Sequence, residues 1–180
     1  HEDLAAVYYH LGEDKRALPH LNNALKINRS IYDRPGEASV LNRLGVLHGR
    51  IGGMKNAVAS LDQALEINRE LFDQPAEGQT LINFGTVYLD AGDDVQALGY
   101  FQEALQLMKK TGDRPEEAKT LVKIGQVYVT AGETAKAFEF FDDALVIYQS
   151  LENNAGQATT LTQMGDAYLD TIKEDEAIPY

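Results

Sequence analysis

The chain has 180 residues, 44% apolar and 24% charged, which is an ordinary globular composition. Its 28 acidic and 16 basic residues leave a net charge of −12, which on average repels duplex nucleic acid and anionic membrane surfaces. It contains no cysteine, which excludes disulfides, thiolate metal sites and a thiol nucleophile, and no run near the ~20 apolar residues of a membrane span. The chain opens on His1-Glu2-Asp3, acidic where a secretory signal would be basic. It lacks an initiator Met, which points to a piece of something longer. The missing cysteines fit a reducing compartment, and a cytoplasmic location is expected. Apolar residues spaced by three and four predict helices at about 1–11, 14–32, 36–51, 54–72, 76–91, 94–111, 116–131, 134–151 and 156–171, with another starting near 174.

These elements repeat. Gly12, Gly52, Gly92 and Gly132 share a column at a period of forty residues, and the next member is Ile172. Ala17, Ala57, Ala97, Ala137 and Ala177 form a second column, and Leu21, Leu61, Phe101 and Phe141 a third. Gly45, Gly85, Gly125 and Gly165 agree, as do Pro35, Pro75 and Pro115, with Ala155 breaking the series. Tyr8, Tyr88, Tyr128 and Tyr168 agree, with His48 as the exception. Each block reads as two helices. In the third, the run 81–88 has one apolar face, Ala91-Gly92-Asp93 breaks it, and a second amphipathic run starts at Val95. Asp113-Arg114-Pro115 then opens the next helix, since proline loses nothing in a first turn and the dipole favours anions there.

The mid-helix glycines cost up to about 1 kcal/mol each against alanine, so something must offset them. Close approach of the partner helix at Ala57, Ala97, Ala137 and Ala177 is expected, with the large third-column residues filling the space between pairs. Tyr88, Tyr128 and Tyr168 are expected to pack ring inward with the hydroxyl at an edge. Neither end shows a polar capping repeat, so Leu161, Met164, Ala167 and Tyr168 are expected to be incompletely covered. End-to-end self-association follows as an expectation.

The apolar-Leu-Gly-x-x-Tyr pattern of the first helix and the Ala-x3-aromatic-x2-Ala pattern of the second resemble the tetratricopeptide repeat. Leu44, Gly45, Ala57, Leu61 and Ala64 carry the likeness, as do Phe84, Gly85, Tyr88, Ala97, Phe101 and Ala104. Ile124, Gly125, Tyr128, Ala137, Phe141 and Ala144 carry it again. The forty-residue period is similar to the long-repeat subgroup of spindle-orientation adaptors, kinesin light chains and bacterial signalling proteins. The resemblance covers essentially the whole chain and implies an all-α fold. The expected form is a right-handed superhelix of antiparallel helix pairs, one array with approximate repeats 1–35, 36–75, 76–115, 116–155 and a shortened 156–180. It also implies a concave channel lined by first helices that binds a protein or peptide.

By register, the candidate channel residues of the second block are Asn42, Arg43, Val46 and Arg50. Those of the third are Gln79, Ile82, Asn83, Thr86 and Asp90. The fourth block contributes Lys119, Val122, Lys123, Gln126 and Thr130, and the last Thr162, Gln163, Asp166 and Asp170. Asn83 precedes the Phe84-Gly85 pair, where long-repeat relatives carry an asparagine that grips ligand backbone. Gln163 matches in part, while Arg43 and Lys123 depart from that pattern. Arg43, Arg50, Lys119 and Lys123 make the channel middle basic, and Asp90, Asp166 and Asp170 make the far end acidic. Two readings stand: a channel for a partner with an acidic portion, or a solvated face with scattered charge.

No catalytic constellation is present, and no enzyme activity, cofactor or metal is expected. The paired carboxylates Asp93-Asp94, Glu116-Glu117 and Asp142-Asp143 fall at helix starts or on exposed faces, and the four histidines lack metal-ligand spacing. A binding scaffold is therefore expected. The alternative is a regulatory or self-association arm of a larger signalling protein or enzyme whose active domain lies elsewhere.

Overall fold

The computed structural model describes residues 14–177, with side-chain surroundings from residue 15 to residue 170. The described residues form eight α-helices and no strand: α1 (Asp14–Ser30), α2 (Arg34–Arg50), α3 (Met54–Glu70), α4 (Gln74–Asp90), α5 (Asp94–Thr111), α6 (Arg114–Thr130), α7 (Thr134–Ser150) and α8 (Asn154–Ala177). The helix expected at 1–11 lies outside them. Even-numbered helices are the first of each pair and odd-numbered ones the second. The chain divides into two compact units, residues 1–100 and 101–180, with the boundary inside α5.

Both kinds of turn follow from local chemistry. First helices end at Gly52, Gly92 and Gly132, whose φ of 79°, 78° and 74° suits a residue without Cβ. Second helices run into the next first helix through a side-chain cap, an aspartate in three turns and, before α8, Asn153, which accepts from the Gly156 amide at 2.9 Å. Asp33 accepts from the Gly36 amide at 3.0 Å, Asp73 from Ala76 at 3.1 Å and Asp113 from Glu116 at 3.2 Å. Pro35, Pro75 and Pro115 lie in the first turn behind these caps, so the first helices start at 34, 74 and 114 rather than 36, 76 and 116. The residue before each cap is left-handed. Gly112 takes it with φ 74°, but Tyr32, Phe72 and Glu152 also take it, with φ of 58°, 56° and 52°.

One expected break does not occur. α8 runs through 171–174 to Ala177 instead of ending and restarting. The column that supplies a turn glycine in the other blocks holds Ile172, a β-branched residue for which a positive φ is costly.

Two of the mid-helix glycines, Gly45 and Gly125, receive a partner, and the atoms nearest the missing side chain belong to the large residue. A Cβ on Gly45 would lie 2.4 Å from Leu61 Cγ, with the Ala57 carbonyl oxygen at 3.3 Å. A Cβ on Gly125 would lie 2.5 Å from Phe141 Cε1. Leu61 and Phe141 are fully buried. Burying such a side chain contributes about 1.5–3 kcal/mol. The glycine's helix penalty is about 1 kcal/mol. Packing therefore wins, and the sequence keeps glycine where α3 meets α2 and α7 meets α6.

Around these contacts the rings stack. In the first unit Tyr100 lies 4.6 Å from Phe84 and 5.5 Å from Tyr88, near parallel to both. In the second, Tyr128 stacks on Phe140 at 5.3 Å, and Lys136 Nζ stands 5.4 Å over the Tyr128 ring. Tyr88 and Tyr128 are half-buried as expected, but Tyr168 is exposed. Of the four α8 residues expected to be incompletely covered, Leu161 and Tyr168 are exposed and Met164 is half-buried. Ala167 departs from the expectation and is buried at 2% exposure.

Two glycines of this one column, Gly125 and Gly165, therefore respond in opposite directions to the same change. Gly125→Ala is expected to destabilise by about 1–2 kcal/mol, because overpacking against Phe141 exceeds the gain in helix propensity. Gly165 has no described atom within 4 Å of a built Cβ, so Gly165→Ala is expected to stabilise by about 0.5–1 kcal/mol. Thermal unfolding of both variants checks the opposite signs.

Candidate functional site

In the first unit α2 and α4 lie side by side, each backed by α3. Of their candidate residues, Asn42, Arg43, Val46, Asn83 and Thr86 are half-buried, and Arg50, Gln79 and Asp90 are exposed. Ile82 corrects the expectation: at 8% exposure it is part of the packing rather than an open contact residue. In the second unit α6 and α8 are neighbours across α7. Lys123, Gln126 and Gln163 are half-buried there, while Lys119, Thr130, Thr162, Asp166 and Asp170 are exposed. Val122 is buried at 8%, the same correction as at Ile82, and for the same reason: both follow a fully packed leucine on a helix buried on two sides.

A hydrogen-bonded chain of side chains crosses the first unit. Gln79 Nε2 donates to Asn83 Oδ1 at 3.2 Å, and Asn83 Nδ2 donates to Asn42 Oδ1 at 3.2 Å. Asn42 Nδ2 donates to Thr80 Oγ1 at 2.8 Å, and Asn68 Nδ2 donates to the same oxygen at 2.9 Å. Thr80 in turn donates to the Ala76 carbonyl at 2.8 Å. Thr80 is fully buried and Asn68 is 2% exposed, so the inner end of this chain is anchored in the core. Its outer end is the Asn42–Asn83–Gln79 amide row on the face shared by α2 and α4. The two bonds described for Asn83 use one of its two N–H donors and one of two lone pairs on its oxygen. An amide held this way can offer the other donor and acceptor to a peptide backbone.

Asn83 was legible in the sequence, but its anchors Thr80 and Asn68 were not. The only sequence trace is a column of threonine at Thr80, Thr120 and Thr160, whose preceding member is Val40. Thr120 and Thr160 donate to Glu116 and Gly156 carbonyls in the same manner. With valine at position 40, Asn28 Nδ2, in the Asn68 column, is buried without an acceptor. In the second unit the corresponding side-chain bond on the face is Gln126 Nε2 to Gln163 Oε1, at 2.5 Å.

The charges are partly committed. Lys119 Nζ pairs with Glu116 Oε1 at 2.5 Å, and this bond raises the lysine above its ordinary pKa, so its charge is balanced within the helix. Behind the first-unit face, Glu37 receives Arg29 Nε at 2.7 Å and Arg34 Nη1 at 3.0 Å. Burial pushes the Glu37 carboxyl up, but the bonds from Arg29 and Arg34 outweigh it and hold it below the ordinary carboxylate value. Arg34 also reaches Glu70 at 2.5 Å, so one cluster ties α1, α2 and α3 together. Arg69–Glu77 at 2.7 Å and Arg114–Glu117 at 2.6 Å repeat the motif. Among the described residues no group of His, Asp and Glu could hold a metal ion, and no helix is long and apolar enough to cross a membrane.

Two outcomes follow. Thr80→Val is expected to destabilise by about 1–3 kcal/mol, because the amides of Asn42 and Asn68 lose their buried acceptor. Val40→Thr is expected to be neutral or stabilising by up to about 1 kcal/mol, since it gives Asn28 the acceptor that Asn68 has. Urea unfolding of the pair measures both. The lowered Glu37 pKa makes its contribution complete above the unfolded glutamate value and lost as pH falls through the folded one. Glu37→Gln is therefore expected to flatten the acid limb of the stability–pH curve, as read by thermal melts below pH 5.

The tetratricopeptide repeat model matches residues 1–70, 36–110, 76–150 and 116–180, which together cover the chain. No curated protein matches it. Among solved structures, BtubC from P. vanneervenii superimposes with a TM-score of 0.72 at 23% identity, over 83% of this chain and 62% of that one. A signal transduction ATPase with numerous domains and a tetratricopeptide repeat sensor, from Pyrococcus horikoshii, gives 0.79 at 16%, over 94% of this chain and 26% of that one. A Rap protein complexed with competence and sporulation factor gives 0.79 at 18%, over 96% and 51%. The chain thus spans less than two-thirds of each, and identities this low show shared fold alone. With a repeat model matched end to end and the helix pairs, turn glycines and glycine-gap packing described above, the chain belongs to the tetratricopeptide repeat family.

Proposed function

We propose that the chain is a binding scaffold whose first-helix faces each hold a segment of another protein or a peptide. The observation that carries this is the amide row Asn42–Asn83–Gln79, anchored by Thr80 and Asn68 and placed on the face of α2 and α4. Rigid amides with unused donors and acceptors recognise backbone, which any peptide supplies, while neighbouring charges select among sequences. On the second unit Gln126–Gln163 plays the corresponding part, with Lys123 beside it. An acidic portion of the partner belongs to this proposal, met by the positive charge of Arg43, Arg50, Lys119 and Lys123. The Rap protein of like fold is complexed with a factor, which supports a ligand-binding reading. The ATPase whose repeats form a sensor favours a second reading, in which the same faces serve as the regulatory arm of a larger protein. A cytoplasmic setting is part of both.

Affinity capture from the source lysate, read by mass spectrometry, tests this. Wild type is run beside Asn83→Ala for the first unit and Lys123→Ala/Gln126→Ala for the second, with circular dichroism to establish that each is folded. A partner held by wild type and depleted about tenfold or more by either variant is the expected result. Equal capture by all three proteins places binding away from these faces and removes the proposal.

A further inference from the structure

We propose that the turns after α1 and α3 form a paired aromatic site for a basic segment of a partner protein, whose arginine or lysine heads lie over the rings of Tyr32 and Phe72. The two residues share one column and one conformation. Both are left-handed, with φ of 58° and 56°, and both are 89% exposed. For a bulky side chain this backbone is costly. The turn does not require the bulk, since Gly112 takes the same position with φ 74° and Glu152 with φ 52°. Nor does the ring alter the bond that closes the turn. Asp33 N donates to Asn28 O at 2.9 Å and Asp73 N to Asn68 O at 2.9 Å, against 3.0 Å for Asp113 N to Met108 O behind the glycine. The core does not use these rings either, because almost nothing of them is buried. Strain held at a position that adds nothing to the core points to a contact outside the chain.

The two tips lie on one edge of the first unit. Arg34, two residues after Tyr32, donates to Glu70, two residues before Phe72, at 2.5 Å, so one ion pair joins the two turns. The charge of this edge selects the occupant. Residues 29–37 and 69–77 hold Arg29, Arg34 and Arg69 against Asp33, Glu37, Glu70, Asp73 and Glu77, three positive charges against five negative. Each of these arginines is bonded to a glutamate: Arg29 to Glu37, Arg34 to Glu37 and Glu70, and Arg69 to Glu77. The charge left over is therefore carboxylate, and Asp33 and Asp73 directly follow the two rings. An aromatic face attracts a cation, and a carboxylate beside it adds to the attraction. Arginine and lysine also bring an aliphatic stem that lies along a ring. Lys136, 5.4 Å over the Tyr128 ring, shows the same pairing within the chain. The excess of acid at this edge, and the net −12 of the chain, oppose an acidic partner or an anionic lipid surface there.

The test uses a fluorescein-labelled, alternating arginine–leucine octapeptide and the full chain, followed by anisotropy, with the glutamate–leucine octapeptide as control. Saturable binding of the basic peptide alone is expected, weakened about tenfold or more by Tyr32→Gly/Phe72→Gly. That variant is expected to melt at an equal or higher temperature, because glycine relieves the left-handed strain. The proposal is overturned by a lack of saturable binding, by binding that the glycine variant leaves unchanged, or by equal binding of the acidic peptide. A lowered melting temperature in the variant gives the rings a role in the fold and overturns it too. Flotation with neutral phosphatidylcholine vesicles, if the variant abolishes it, assigns the rings to a lipid surface instead.

Discussion

The close approach of a second helix to a first, through a missing side chain, is the constraint on which the other features rest. Gly45 and Gly125 give up helix propensity so that Leu61 and Phe141 can enter the neighbouring helix's surface. The exchange is favourable because burial of a large apolar side chain outweighs a glycine penalty by about 0.5–2 kcal/mol. It also fixes register, since only one sliding position puts the large residue opposite the gap. Once register is set, the stacked rings of Phe84, Tyr88 and Tyr100 and those of Tyr128 and Phe140 fall into line.

Polar groups follow the same register. Asn42 and Thr80 are thirty-eight residues apart and Asn42 and Asn83 forty-one, so their bonds exist only because α2 and α4 are held side by side. Burying amides is costly unless each is satisfied, and Thr80 satisfies two of them at once. Asn28, in the column of Asn68 but with Val40 where the repeat has a threonine, has a buried amide nitrogen without a hydrogen-bond partner. The arginine–glutamate pairs at Glu37 and Glu77 act at the other end of the helix pair, tying a second helix to the next first helix, while Arg114–Glu117 closes the first turn of α6. Binding chemistry on the faces thus stands on bonds whose inner ends are structural.

On α8 the columns around the glycine gap look different: Leu161 and Tyr168 are exposed, and a Cβ on Gly165 would meet no described atom within 4 Å, so this glycine gives up helix propensity without a described partner and takes no part in fixing register.

The sequence alone determined the forty-residue period, the helix pairs, the turn glycines and the aspartate caps. These are local matters: amphipathic spacing, φ preferences and capping bonds act within a few residues, so they can be read from the chain to within two residues at both ends of α1 to α7 and at the start of α8. It also singled out Asn83, which stands in the amide row shared by α2 and α4. Tertiary structure decided the rest. It made Leu61 and Phe141 the fillers of the glycine gaps, buried Ile82, Val122 and Ala167, and committed Lys119 to Glu116. It joined Asn83 to Thr80 and Asn68 through Asn42. It carried α8 beyond the expected break. Each of these depends on which surfaces meet across distances of tens of residues. That is set by how helices slide and rotate against one another, a choice that no local pattern records.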